Sequence, residues 1–230
     1  MSILKIGISF GIILIIAGCI TTIHPIYTEQ ELIFDSKLIG TWFIVDPETG
    51  KKDEDTWTFK KSDEKSYDLI ITEKNFSFNE LDRIVYVLVK SITNKYKPDS
   101  PVQPLEEKKS EPGESANFQA HLVRLGDFLV LDIFPTKPKI KNTFYLMHMV
   151  PVHTFLKISI QEDILNFEML NCEWFEKMID QKKIDMNYTR RDDTIILTAS
   201  TKELQEFVLK YGKDPEAFSS LFVFHRQKGE

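Results

Sequence analysis

The sequence predicts a mainly β fold, built from antiparallel strands with two accessory helices in the C-terminal third. The prediction rests on three observations. Apolar and polar residues alternate along several short stretches, which is the pattern of strands with one buried face. Pairs of these stretches are joined by compact turn sequences. Two stretches near the C-terminus instead repeat their apolar residues at helical spacing. The 230 residues are 42% hydrophobic and 28% charged, an ordinary globular composition.

The chain opens on an apolar run. Lys5 is the only charge before it, and residues from Ile6 to Gly18 are apolar or small. That length suits the core of a signal peptide and falls short of the roughly 20 residues needed to span a bilayer. The next charge is Glu29. Ile16-Ala17-Gly18-Cys19 resembles the bacterial lipobox, in which the cysteine is acylated and becomes the first mature residue. The resemblance makes residues 1–18 a lipoprotein signal peptide and Cys19 the site of lipid attachment. It also implies a membrane partner held through N-terminal acyl chains and a place in the bacterial cell envelope. With Ile20 rather than Asp after the cysteine, that place is the outer membrane if the envelope is Gram-negative. The competing reading is an uncleaved apolar anchor with an incidental cysteine. Stable anchoring takes more than one acyl chain or signal, and lipoproteins of this kind carry several chains on the one cysteine. The other cysteine, Cys172, reads as a small buried hydrophobe. With Cys19 acylated no internal disulfide forms, so the 212 residues after Gly18 must bury their own core.

Residues 19–35 read as a tether, and 36–230 as a single domain whose first strand lies in LIGTWFIVD (Leu38 to Asp46). In that domain Trp57 and Phe59 alternate with Thr56, Thr58 and Lys60. Tyr67, Leu69 and Ile71 then share a face. The segment from Asn94 to Asn117 holds four prolines, many charges and almost no large apolar residue, so it reads as a long disordered loop, with a division into two domains as the alternative. Beyond it, FQAHLVRLGDFLVLDIFP reads as a hairpin turning at Gly126-Asp127, with Leu129, Leu131 and Ile133 on one side. TFLKISIQEDILNFEML reads as a second hairpin. In it Leu156, Ile158 and Ile160 oppose polar neighbours, as Leu165, Phe167 and Met169 do after the turn.

CEWFEKMIDQ sets Trp174 one turn from Met178 and Phe175 one turn from Ile179. STKELQEFVLKYG has a capping box in Ser200 and Glu203, a stripe of Leu204, Phe207, Val208 and Tyr211, and Gly212 as a stop. TIILTA between the helices and LFVFHR at the end read as strands.

Gly40-Thr41-Trp42 at the start of the first strand, followed by antiparallel strands, resembles the Gly-x-Trp signature of lipocalins and other calycins. The resemblance implies an eight-stranded barrel with Trp42 as a plug at its closed end and an interior that takes an apolar ligand. The side chains it would line with are Trp57, Phe59, Leu69, Leu131, Ile158 and Phe167. Two helices, where a lipocalin has one near its C-terminus, depart from that pattern.

The sequence offers little chemistry beside this. Residues 144–155, FYLMHMVPVHTF, gather His148, His153, Met147 and Met149, residue types that suit soft metals. A regular strand would put the two histidines, five apart, on opposite faces, so they read as solvated or hydrogen-bonded. No nucleophile elbow, zinc-protease helix, phosphate loop or Cys-x-x-Cys occurs. The acid pairs Glu162-Asp163 and Asp192-Asp193 fall in predicted turns. No catalytic residue, metal or cofactor is expected. The net charge of −6 argues against nucleic acid. The leading functional expectation is a non-enzymatic, lipid-anchored barrel that binds an apolar small molecule or lipid. The alternative is an envelope interaction or assembly protein whose barrel is a filled core. The two differ in whether the barrel interior is occupied by its own side chains.

Overall fold

Two apolar clusters organise the chain, one inside a barrel and one against its outer wall. The structure, a computed structural model, describes residues 20–45, 50–73, 114–136, 140–191 and 194–228. Cys19, the expected signal peptide and acid pair 192–193 lie outside the described residues, as does most of the expected loop at 94–117.

The strands are β1 (Thr21–Thr22), β2 (Leu32–Ile33), β3 (Gly40–Val45), β4 (Lys52–Lys61), β5 (Ser66–Glu73) and β6 (Glu114–Leu125), then β7 (Phe128–Pro135), β8 (Thr154–Gln161), β9 (Ile164–Leu170), β10 (Tyr188–Arg191), β11 (Thr194–Leu197) and β12 (Phe218–Arg226). The helices are α1 (Thr143–Leu146), α2 (Cys172–Asp180) and α3 (Thr201–Tyr211). Strands β3 to β9 pair each with the next, all antiparallel. β12 joins β9 and returns to β3, which closes an eight-stranded barrel. The chain is mainly β, as the alternation predicts, and the closed antiparallel barrel with accessory helices is consistent with the lipocalin-like barrel that the Gly-x-Trp resemblance implies.

Register follows from the one-sided pattern. Phe59 faces Leu69, Leu131 faces Leu156 and Ile158 faces Phe167 across successive strand pairs. Their side chains, with Trp42, Leu122, Leu165 and Phe224, form the inner cluster. A one-residue slip would turn this set outward.

The second cluster lies between the outer wall and a covering layer. β10, β11 and β1 form a separate small sheet, with β1 parallel to β11. That sheet, α2 and α3 pack Ile195, Leu197, Trp174, Phe175, Leu204, Phe207 and Val208 against Val123, Val130 and Phe155 of the wall. β7 is therefore buried on both faces, which explains its nearly unbroken apolar run.

The N-terminal stretch corrects an expectation. Residues 20–35 are not a tether but a strap across the wall, held by β1 on β11 and β2 on β6. Ile20, Ile26 and Leu32 are buried in the outer cluster. They are spaced six apart with no buried apolar residue between them, so no local alternation announces their burial. The far boundary of the expected loop moves as well: Glu114 to Asn117 belong to β6 and pair with Ile70 to Glu73.

Both predicted helices form. Ser200 and Glu203 make the capping box of α3, and Asn171 caps α2 by accepting from the Trp174 N–H. Gly212 ends α3 as expected but for a different reason. Its backbone stays right-handed (φ −63°), so left-handed freedom is not what it supplies. A Cβ there would lie 2.5 Å from the Val208 carbonyl oxygen and 2.7 Å from Cζ of Phe128. Gly212→Ala should thus force β7 and α3 apart and cost about 1–3 kcal/mol, read as a lowered urea midpoint at unchanged slope.

Candidate functional site

The most polar buried place in the described structure is a seam beneath the strap. In β7, Leu131 and Ile133 point into the barrel and Val130 into the outer cluster. Asp132 shares Val130's side and is fully buried. An acid on an outer wall would ordinarily face water, but here the strap covers it. The Ile26 N–H donates to Asp132 Oδ2 at 3.0 Å, and His153 Nδ1 lies 2.7 Å from Oδ1. His153 also exchanges both backbone hydrogen bonds with Thr22, at 2.9 and 2.8 Å, and its ring lies against Phe134. Asp132 therefore ties the strap to the wall directly at Ile26, and it holds the His153 ring beside the backbone bridge to Thr22.

His121 stands opposite Asp132 on β6. The Tyr27 ring of the strap covers it, with centroids 4.5 Å apart. Its Nδ1 is buried with no hydrogen-bond partner among the described residues. Burial holds the His121 pKa below its ordinary 6.5, as does nearby His153 to a lesser degree, while Asp132, Asp63 and Glu29 pull the other way. Burial, helped by Asp132 and Glu29, pushes the Tyr27 phenol up to about 12, so it keeps its proton.

An Asp–His pair can orient an imidazole for proton transfer, yet such a role also needs a nucleophile or a reacting atom within reach. The pair meets the backbones of Ile26 and Thr22 and the Phe134 ring, with Tyr27 over the neighbouring His121. The arrangement acts as a clamp. It carries a pH prediction. The folded chain holds His121 neutral while the unfolded chain protonates it in acid. The contribution is whole above pH about 6.5 and is lost as pH falls below that value toward the folded-state pKa. The melting temperature should decline through that window, and His121→Gln should flatten the decline.

At one end of the barrel, Trp42 is fully buried and its Nε1–H donates to the Leu38 carbonyl at 2.9 Å. Leu38 closes a short 3-10 turn, Ser36–Leu38. The Arg226 guanidinium lies over the indole, 4.2 Å from its centroid, and donates to the carbonyls of Ile39 and Lys37. Gly40 has φ +131°, and a Cβ there would meet the guanidinium at 2.9 Å. The glycine of the Gly-x-Trp pattern thus makes room for the arginine that seals the tryptophan.

The six expected ligand-lining residues come together. Phe59, Leu69, Leu131, Ile158 and Phe167 are buried in the inner cluster, and Trp57 is half-buried against it. Two of them pack with a further inner residue: Trp57, Phe167 and Phe224 form a triangle with centroids 5.0–5.4 Å apart. Two open hollows, of about 640 and 430 Å³, lie elsewhere. The first lies on the outer wall beside Lys157 and Gly212, and the second is bounded by Phe43, Asp163 and Arg226. No buried side chain of the inner cluster lines either.

His148 and His153 separate as expected, though not on a strand. His148 sits in an exposed turn after α1, bonded to the Phe144 carbonyl, while His153 is in the clamp. Among the described residues no group of three or more His, Cys, Asp or Glu could hold a metal, and no helix is long and apolar enough to cross a membrane. Cys172 is half-buried and burial pushes its thiol pKa up, away from a reactive thiolate. Sequence reasoning missed Asp132 and its role. Its signal was available: one acid in the middle of FLVLDIFP, a strand otherwise apolar on both faces. No family model, no curated protein and no solved structure matches the chain, so its function is argued from its own residues.

Proposed function

We infer that this chain is a lipid-anchored envelope protein, non-enzymatic, that works through its outer surface. Its barrel serves as a filled core. The observation that carries the reading is the packing of Trp57, Phe167 and Phe224 across the barrel interior. Ring contacts at these separations leave no room between them for an acyl chain or a comparable apolar ligand. The anchoring half of the reading rests on Ile16-Ala17-Gly18-Cys19 behind its apolar run.

Two measurements test the two halves. The wild type should incorporate labelled fatty acid and enter the detergent phase, whereas Cys19→Ser should do neither; an unlabelled wild type removes the anchor. Delipidated protein should show no saturable uptake of a fatty acid or an environment-sensitive apolar dye. Saturable binding near one per chain, obstructed by Phe167→Trp, would instead establish the ligand-binding barrel.

A further inference from the structure

Among the described residues, the largest run of exposed apolar side chains follows β7, before β8. Phe144, Met147 and Val150 are 72%, 75% and 70% exposed, and Tyr145 and Met149 accompany them. A monomer rarely presents such a run to water unless something covers it. The run is held in shape. Asn142 caps α1 by accepting from the Tyr145 N–H at 2.9 Å, and the Met147 N–H donates to the Thr143 carbonyl. The His148 ring packs against Phe144.

Its position says what covers it. His153, three residues beyond Val150, is bridged to Thr22, three residues beyond Cys19. Three extended residues span at most about 11 Å, and an antiparallel bridge adds about 5 Å. Cys19 and Val150 therefore lie within about 27 Å of each other, although the two chains leave the bridge in opposite directions. Because residues 20–35 are packed as a strap, no slack separates the anchor from this part of the domain.

We propose that the segment from Phe144 to Val150 is a second membrane contact, entering the interface of the bilayer that holds the chain by Cys19. This rests on the anchoring reading above. Tethering makes such a contact effective even if it is weak alone, since the anchor supplies the high local concentration. Aromatic and thioether side chains suit the headgroup boundary. With Lys5 lost among residues 1–18, the anchored chain has 28 basic against 35 acidic residues and gains nothing from anionic lipid, so the contact depends on apolar burial and should resist salt.

The test uses the full chain, purified from a host that acylates it, in vesicles of phosphatidylethanolamine and phosphatidylglycerol with or without brominated acyl chains. In Phe144→Trp the added emission should shift to shorter wavelength on vesicles. Brominated lipid should reduce it about twofold, as for an indole at the acyl boundary. Val223→Trp, on the β12 wall, should be unquenched. Phe144→Trp combined with Met147→Asp should lose the quenching but still float with the vesicles, and high salt should change nothing. A chain that floats without quenching overturns the proposal and leaves the anchor intact. A wild type that does not float removes the anchor. In that case quenching at high lipid concentration still decides the contact, and its absence overturns it. Emission that is already short-wavelength before vesicles are added, or that becomes so with protein concentration, overturns it in favour of cover by the chain itself or by a second copy.

Discussion

Trp42→Ala should lower stability by about 3–5 kcal/mol, the cost of emptying a large buried aromatic site. Small domains commonly have only about 5–15 kcal/mol in total, so the variant should be visibly unstable at room temperature. The expected loss is at the upper end because the indole has three partners. Its ring packs in the inner cluster, its N–H satisfies the Leu38 carbonyl and its face carries the Arg226 guanidinium. Trp42→Phe should keep most of the packing while losing the N–H bond, and should cost less. Urea unfolding of the pair separates the contributions. A change well below 1 kcal/mol for Trp42→Ala would mean that the closed end is not held by this residue.

Asp132→Ala should cost a comparable amount, about 3–5 kcal/mol. The substitution leaves the Ile26 N–H and His153 Nδ1 buried without their acceptor. The two large effects differ in where they act. Loss of Trp42 opens the barrel end, whereas loss of Asp132 frees the strap. Limited proteolysis of Asp132→Ala should therefore cut first around Thr28 to Gln30, which are already exposed, before the barrel is attacked. Asp132→Asn, which retains an acceptor of the same shape, should be milder. Equal proteolysis of wild type and Asp132→Ala would show that the clamp does not hold the strap.

The barrel was legible because most of its strands other than β7 keep one polar face. Leu156 and Ile158 against Lys157 and Ser159, or Leu165 and Phe167 against Asn166 and Glu168, announce both strand and facing from sequence alone. The helices were legible through local signals, above all the Ser200–Glu203 box. What stayed hidden is what depends on partners far along the chain. Ile26 between Pro25 and Tyr27 has no periodic neighbours, and only the covering of Asp132 gives its N–H a role. The four-residue α1 and the two-residue β1 are too short to leave a pattern. Gly212 was placed correctly at a helix end, but its cause, the Phe128 ring, lies on another element. The candidate site was the least legible part: His121 and Asp132 sit on two strands, His153 stands just before a third, and they meet only when the wall is built.

The strap also sets the order in which the molecule can be completed. Thr201 bonds to the Pro25 carbonyl across 176 positions of chain, and Arg226 to the Ile39 carbonyl across 187. The first segment to emerge therefore finds some of its partners only in the last to arrive. A chain delivered N-terminus first must leave Ile20, Ile26 and Trp42 incompletely covered until almost all of it has been delivered. Such distant closures make for slow folding and a long-lived, adhesive intermediate. Truncation anywhere before Arg226 should trap that intermediate, and a holding chaperone would find it at the N-terminal end.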